Sequence, residues 1–122
     1  MRGYPKWFPR ILFLVIAIVA LAGIALIPNF LFYKMEWFED QPMDGKMRMN
    51  IASIHVTAAV CLTFLFGAVW TIHMRHGWRM KLHRVSGTLF VAAFALLALS
   101  GIGSWYFSNE TLIRWNGILH VA

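Results

Sequence analysis

Residues 11–32 read ILFLVIAIVALAGIALIPNFLF, and none of these 22 residues is Asp, Glu, Lys or Arg. As a helix such a stretch reaches about 33 Å, enough to cross a hydrocarbon core of roughly 30 Å. Two further stretches, 51–74 and 85–107, are equally free of those residue types over 24 and 23 residues. They are apolar on every side, which excludes barrel strands, because those alternate in polarity over about ten residues. The sequence therefore predicts an all-α membrane protein. Three full transmembrane helices at 11–32, 51–74 and 85–107, with a partial fourth at 111–122, form a single domain, 1–122, with the architecture of an up-down four-helix bundle.

The composition agrees. The chain has 122 residues, 60% hydrophobic and 13% charged, about half the charge of an ordinary soluble domain. Cys61 is the single cysteine, so no disulfide scaffold is possible within the chain. Ten Phe and six Trp are incompatible with intrinsic disorder. The net charge of +6 lies in short segments between the apolar runs, where it sets orientation and implies no nucleic-acid partner.

Segment 1–10 carries Arg2, Lys6 and Arg10 (+3), and 33–50 carries Lys34, Lys46 and Arg48 against Glu36, Glu39, Asp40 and Asp44 (−1). Segment 75–84 carries Arg75, Arg79, Lys81 and Arg84 (+4), while 108–114 balances Glu110 with Arg114 (0). This alternation predicts a multi-pass protein of the bacterial inner membrane, with the N-terminus and 75–84 cytoplasmic and 33–50 periplasmic. The first run reads as an uncleaved signal anchor, since cleavage after Ala22 would leave an apolar N-terminus. A fourth helix ending at 122 would place a carboxylate inside the bilayer, at a cost of a few kcal/mol, so that helix is expected to continue.

Histidine within an apolar span is a functional hypothesis by default. His55 lies just over a turn into the second helix from the periplasmic side, and His120 about nine residues into the fourth segment from the same side. The two share a depth, the axial ligation pattern of a b-type haem held between helices. Ala59, one turn after His55, and Gly117, one turn before His120, supply small neighbours for a macrocycle. Arg48 and Arg114, each six or seven residues outward of a histidine, suit its propionates. The plainer reading of each histidine alone is a hydrogen bond to a neighbouring helix.

His73 follows His55 by 18 residues, five helical turns or about 27 Å along one face. His83 begins the third helix across a basic turn. His73 with His83, or His76 in place of His73, therefore forms the candidate axial pair for a second haem near the cytoplasmic surface. The same loop also reads as a basic patch that grips anionic lipid headgroups, and a zinc or copper site from His73, His76 and His83 has no carboxylate or cysteine to complete it. Gly101 and Gly103, with Ser100 and Ala98, mark close helix packing.

These motifs have a familiar order. Ser53-Ile54-His55 opens a helix, His73 stands at its far end, Leu82-His83-Arg84-x-Ser86-Gly87 enters the next, and Ser100-Gly101 with Trp105 and Tyr106 leaves it. Asn109-Glu110 and Leu119-His120 follow. Across about 50–122 this resembles a family of small bacterial four-helix membrane proteins similar to the di-haem cytochrome b subunits of formate dehydrogenases and nickel-iron hydrogenases. The resemblance implies a four-helix bundle and an electron-transfer role.

The expected function is thus an integral b-type cytochrome that passes electrons between the quinone pool and a periplasmic or membrane redox partner. Its expected partners are the bilayer, other membrane subunits, and quinol or a c-type cytochrome. The alternative is a haem-free accessory subunit of a larger respiratory or photosynthetic complex. No nucleophile elbow, phosphate loop or paired intramembrane carboxylates support hydrolytic chemistry.

Overall fold

The computed structural model describes residues 4–37, 39–40, 42–80 and 84–121, which form four helices and, among the described residues, no strand. Helix α1 spans Phe8–Met35, with a proline in its first turn and Pro28 inside it. A proline costs nothing at the start, where its missing N–H would be unpaired in any case. The helix stops at Glu36, which adopts the left-handed conformation (φ 56°) while its N–H returns to the Leu31 carbonyl.

Helix α2 runs Gly45–Arg79, 35 residues, longer than the expected 51–74 at both ends. At its start the Asp44 carboxylate accepts from the N–H groups of Lys46 and Met47, at 3.0 and 3.3 Å, an N-cap that satisfies two of the four orphan donors. Near its end the backbone passes through a π-turn, Trp70–Met74, where the Arg75 N–H reaches five residues back to Trp70. The Ala68 carbonyl at this turn accepts from the hydroxyls of Tyr4 and Thr71, at 3.1 and 3.0 Å. The wider turn breaks the regular 3.6-residue register.

Helix α3 spans Arg84–Tyr106 and helix α4 spans Glu110–Val121. Asn109 caps α4, its side-chain oxygen accepting from the N–H groups of Thr111 and Leu112. Helix α1 packs along α2, α3 packs against α4, and α4 returns to α1. Phe66 of α2 stacks on Phe94 of α3 with ring centres 4.1 Å apart.

Helices α1, α2 and α3 are each long and apolar enough to cross a membrane. Polarity is inverted relative to a soluble domain: Phe64 and Leu21 are 77% and 67% exposed, whereas Ser100 and Asn29 are only 3% and 4% exposed. Lipid tails are as apolar as leucine, so burying leucine gains nothing there. Helices associate instead through small residues and interhelical hydrogen bonds. Gly103 and Gly117 are the buried glycines of α3 and α4, and Asn116 bridges the two helices by donating to the Ser100 carbonyl and the Ser104 hydroxyl at 2.8 and 2.9 Å.

Candidate functional site

His55 of α2 and His120 of α4, both half-buried, meet between the helices. Their ring centres lie 6.0 Å apart and their planes cross at 85°. The histidines expected to share a depth therefore do so, although α2 begins six residues earlier than expected.

The hydrogen bonds around the two rings fix their chemistry. His55 Nδ1 stands 3.0 Å from the carbonyl oxygen of Val19 on α1. A carbonyl can only accept, so Nδ1 carries the proton and donates it. His120 Nδ1 stands 2.9 Å from Ser100 Oγ, whose hydroxyl lies 2.6 Å from the Leu96 carbonyl one turn back. With the serine hydroxyl directed at the Leu96 and Leu97 carbonyls, 2.6 and 3.1 Å away, Oγ is left to accept from His120. Both imidazoles are thereby held with the proton on Nδ1 and the lone pair on Nε2, and among the described residues no donor meets either Nε2. A histidine whose Nδ1–H is anchored to backbone or hydroxyl oxygen is the usual form of a metal-ligating imidazole.

The separation of the ring centres, 6.0 Å, can be set beside that of two imidazoles sharing one ion. Two imidazoles on opposite sides of one ion place their ring centres roughly 6 Å apart, from about 2 Å per metal–nitrogen bond and about 1 Å from nitrogen to ring centre. Two nitrogens do not complete a zinc site, which takes four ligands. Among the described residues no group of three or more His, Cys, Asp or Glu assembles. A pair suffices for an ion that brings its own equatorial ligands, as haem iron does.

The small neighbours of the rings differ from those expected. A Cβ at Gly23 of α1 would stand 3.1 Å from His55 Cε1, and one at Gly101 of α3 would stand 3.4 Å from His120 Cε1. These two glycines give the rings their room. Gly117 does not, because the Phe30 ring of α1 covers it so closely that a Cβ there would collide, and Ala59 lies half-exposed on α2.

Both expected arginines converge on the end of α1. Arg48 places its guanidinium carbon 4.8 Å from the centre of the Tyr33 ring. Arg114 stands 3.6 Å from the Glu36 carboxylate, with the two side chains 48% and 80% exposed. Each is on the outward side of the histidines, and each already has a partner within the chain.

The second proposed pair is not assembled in what is described: His83 and the side chain of His73 lie outside the described residues. His76 is exposed on the last turn of α2.

Asn29 escaped the sequence reading. It is 4% exposed, its amide nitrogen donates to the Met43 thioether at 3.6 Å, and its Oδ1 is buried with no hydrogen-bond partner. An amide alone in an otherwise apolar run was the available signal.

No protein-family model, curated protein or solved structure matches this chain.

Proposed function

We propose that this chain is an integral b-type cytochrome in which His55 and His120 are the axial ligands of one haem. The observation that carries the reading is the pair of imidazoles 6.0 Å apart with both Nδ1 protons anchored, to Val19 and to Ser100. Haem bound there would supply a one-electron Fe(III)/Fe(II) couple. The chain's own contribution is to set the tautomer of each ligand and hold the rings apart at a fixed distance.

The helix contacts support an up-down bundle in which α1 to α4 follow one another around a ring, with α4 closing on α1. In that arrangement α2 and α4 are diagonal, and two histidines facing each other across the centre come from diagonal helices. The charge alternation supports a cytoplasmic N-terminus, and the sequence resemblance is what suggests a bacterial inner membrane. In that orientation the pair would lie in the periplasmic half, where the haem would pass electrons between the quinone pool and a periplasmic or membrane partner.

The test is a reduced-minus-oxidised spectrum of the purified protein, together with His55→Ala and His120→Ala variants. Sharp b-type bands, lost in either variant with the protein still inserted, are expected. A flat trace from the well-folded parent reconstituted with hemin sinks the proposal and leaves a haem-free accessory subunit. A reporter fused at Asp44 tests the orientation independently, and is expected to read periplasmic.

A further inference from the structure

We infer that the amide of Asn29 receives a propionate of the haem, a role that rests on the reading of His55 and His120 given above. Two helices place Asn29 at the right level. On α1 it lies six residues beyond Gly23, which touches His55, and seven before Glu36, which pairs with Arg114. Those separations are about 9 and 10.5 Å along the axis. On α4 the neighbouring Phe30 covers Gly117, midway between Arg114 and His120. Along the helix axes Asn29 is thus level with the space between the histidine pair and the outer ion pair, the level that a carboxylate edge pointing outward would reach.

The amide is also unfinished there. Buried polar atoms are satisfied in nearly all native structures, and each exception calls for an explanation. Asn29 Oδ1 is such an exception, and the other end of the amide is held only by a thioether, a weak acceptor. A half-turn about Cβ–Cγ exchanges oxygen and nitrogen, trading the weak thioether contact for an N–H at the buried position where Oδ1 has no partner. A carboxylate is the acceptor that such a donor binds best. The two arginines on this end already face Glu36 and Tyr33, which leaves the amide as the inner polar group without a complete set of partners.

The experiment compares full-length parent, Asn29→Leu and Asn29→Asp in detergent, each haem-free and then titrated with hemin or with hemin dimethyl ester, whose carboxylates are blocked. The parent is expected to prefer hemin over the ester by at least about tenfold, and Asn29→Leu to lose that preference while still binding both. Haem-free Asn29→Leu should melt no lower than the parent, since it removes an unpaired buried amide. Asn29→Asp, similar in size but anionic, should prefer the ester. A parent that binds hemin and ester equally, a preference retained in Asn29→Leu, or a haem-free Asn29→Leu that melts well below the parent would each overturn the assignment, the last by giving the amide a partner inside the protein. A parent that binds neither probe defeats the haem reading itself, and this inference with it.

Discussion

Ser100 accepts the Nδ1 proton of His120 at 2.9 Å because its own hydroxyl is directed at the Leu96 carbonyl, 2.6 Å away in the preceding turn of α3. Helical serines often back-bond in this way. Here the back-bond occupies the hydroxyl's one proton, so toward the histidine on another helix the serine acts as an acceptor, which selects one tautomer.

Ser100→Ala should therefore loosen His120 without removing it. Loss of a hydrogen-bonded partner behind a ligating imidazole typically costs 10–100-fold in affinity, so hemin binding should weaken within that range. The imidazole also becomes a poorer electron donor, which favours ferrous iron and should raise the midpoint potential. Ser100→Thr keeps the hydroxyl and should stay near the parent in both measurements. Equal hemin affinity in parent and Ser100→Ala would remove the serine from the site.

Gly117 and Phe30 give a second, purely steric expectation. A Cβ at Gly117 would drive into the Phe30 ring, and overpacking of this kind costs typically 1–3 kcal/mol. Gly117→Ala should lower the melting temperature in detergent, and adding Phe30→Leu should recover part of the loss. Additive losses in the double variant would mean that the two residues do not meet.

Much of this arrangement was legible in the sequence, and the limits have physical causes. The three apolar spans needed only length and the absence of charge. The facing of His55 and His120 followed from counting inward from the polar loops, and it survives the earlier start of α2 because both histidines are counted from the same membrane face. Helix α2 starts six residues before its apolar run because the Asp44 cap recruits polar residues into the helix, a local choice that hydropathy does not register. The phase beyond Trp70 was not legible, since the π-turn involves a contact with Tyr4 from the far end of the sequence. Gly101 was read as a packing residue and proves to lie beside His120, whereas Gly23 gave no signal in an apolar run.

Tyr4 offers a test of that π-turn. Its hydroxyl donates to the Ala68 carbonyl at 3.1 Å and its ring stacks on Phe8 with centres 4.4 Å apart. Tyr4→Phe keeps the stack and removes the donor, so it should cost about 1 kcal/mol and speed amide exchange in the Trp70–Met74 segment. Burial raises the hydroxyl above its ordinary value of 10.0. The sign follows: the contribution is complete below pH 10, where the phenol is neutral folded or unfolded, and is lost as pH rises through the folded value. The parent should lose more stability than Tyr4→Phe in that alkaline window. Parallel losses would detach Tyr4 from the stability of the turn.

Arg114 and Glu36 form an exposed ion pair 3.6 Å apart, and pairs of that kind contribute about 0–1 kcal/mol. Arg114→Gln should therefore barely move the melting temperature. Its electrostatic effect on the proposed haem is a separate matter. A cation on the outward side disfavours the extra positive charge of ferric iron, so Arg114→Gln should lower the midpoint potential. Glu36→Gln leaves the same guanidinium uncompensated and should raise it. The double variant removes both charges and should fall between the two singles. Arg48, stacked on Tyr33 in the same region, should behave like Arg114, with Arg48→Gln lowering the potential. Opposite shifts in Arg114→Gln and Glu36→Gln, measured by redox titration at low salt and reduced at high salt, would establish that the arginine acts on the iron through space. Unchanged potentials in all these variants, with haem content intact, would confine both arginines to the surface contacts they make with Glu36 and Tyr33.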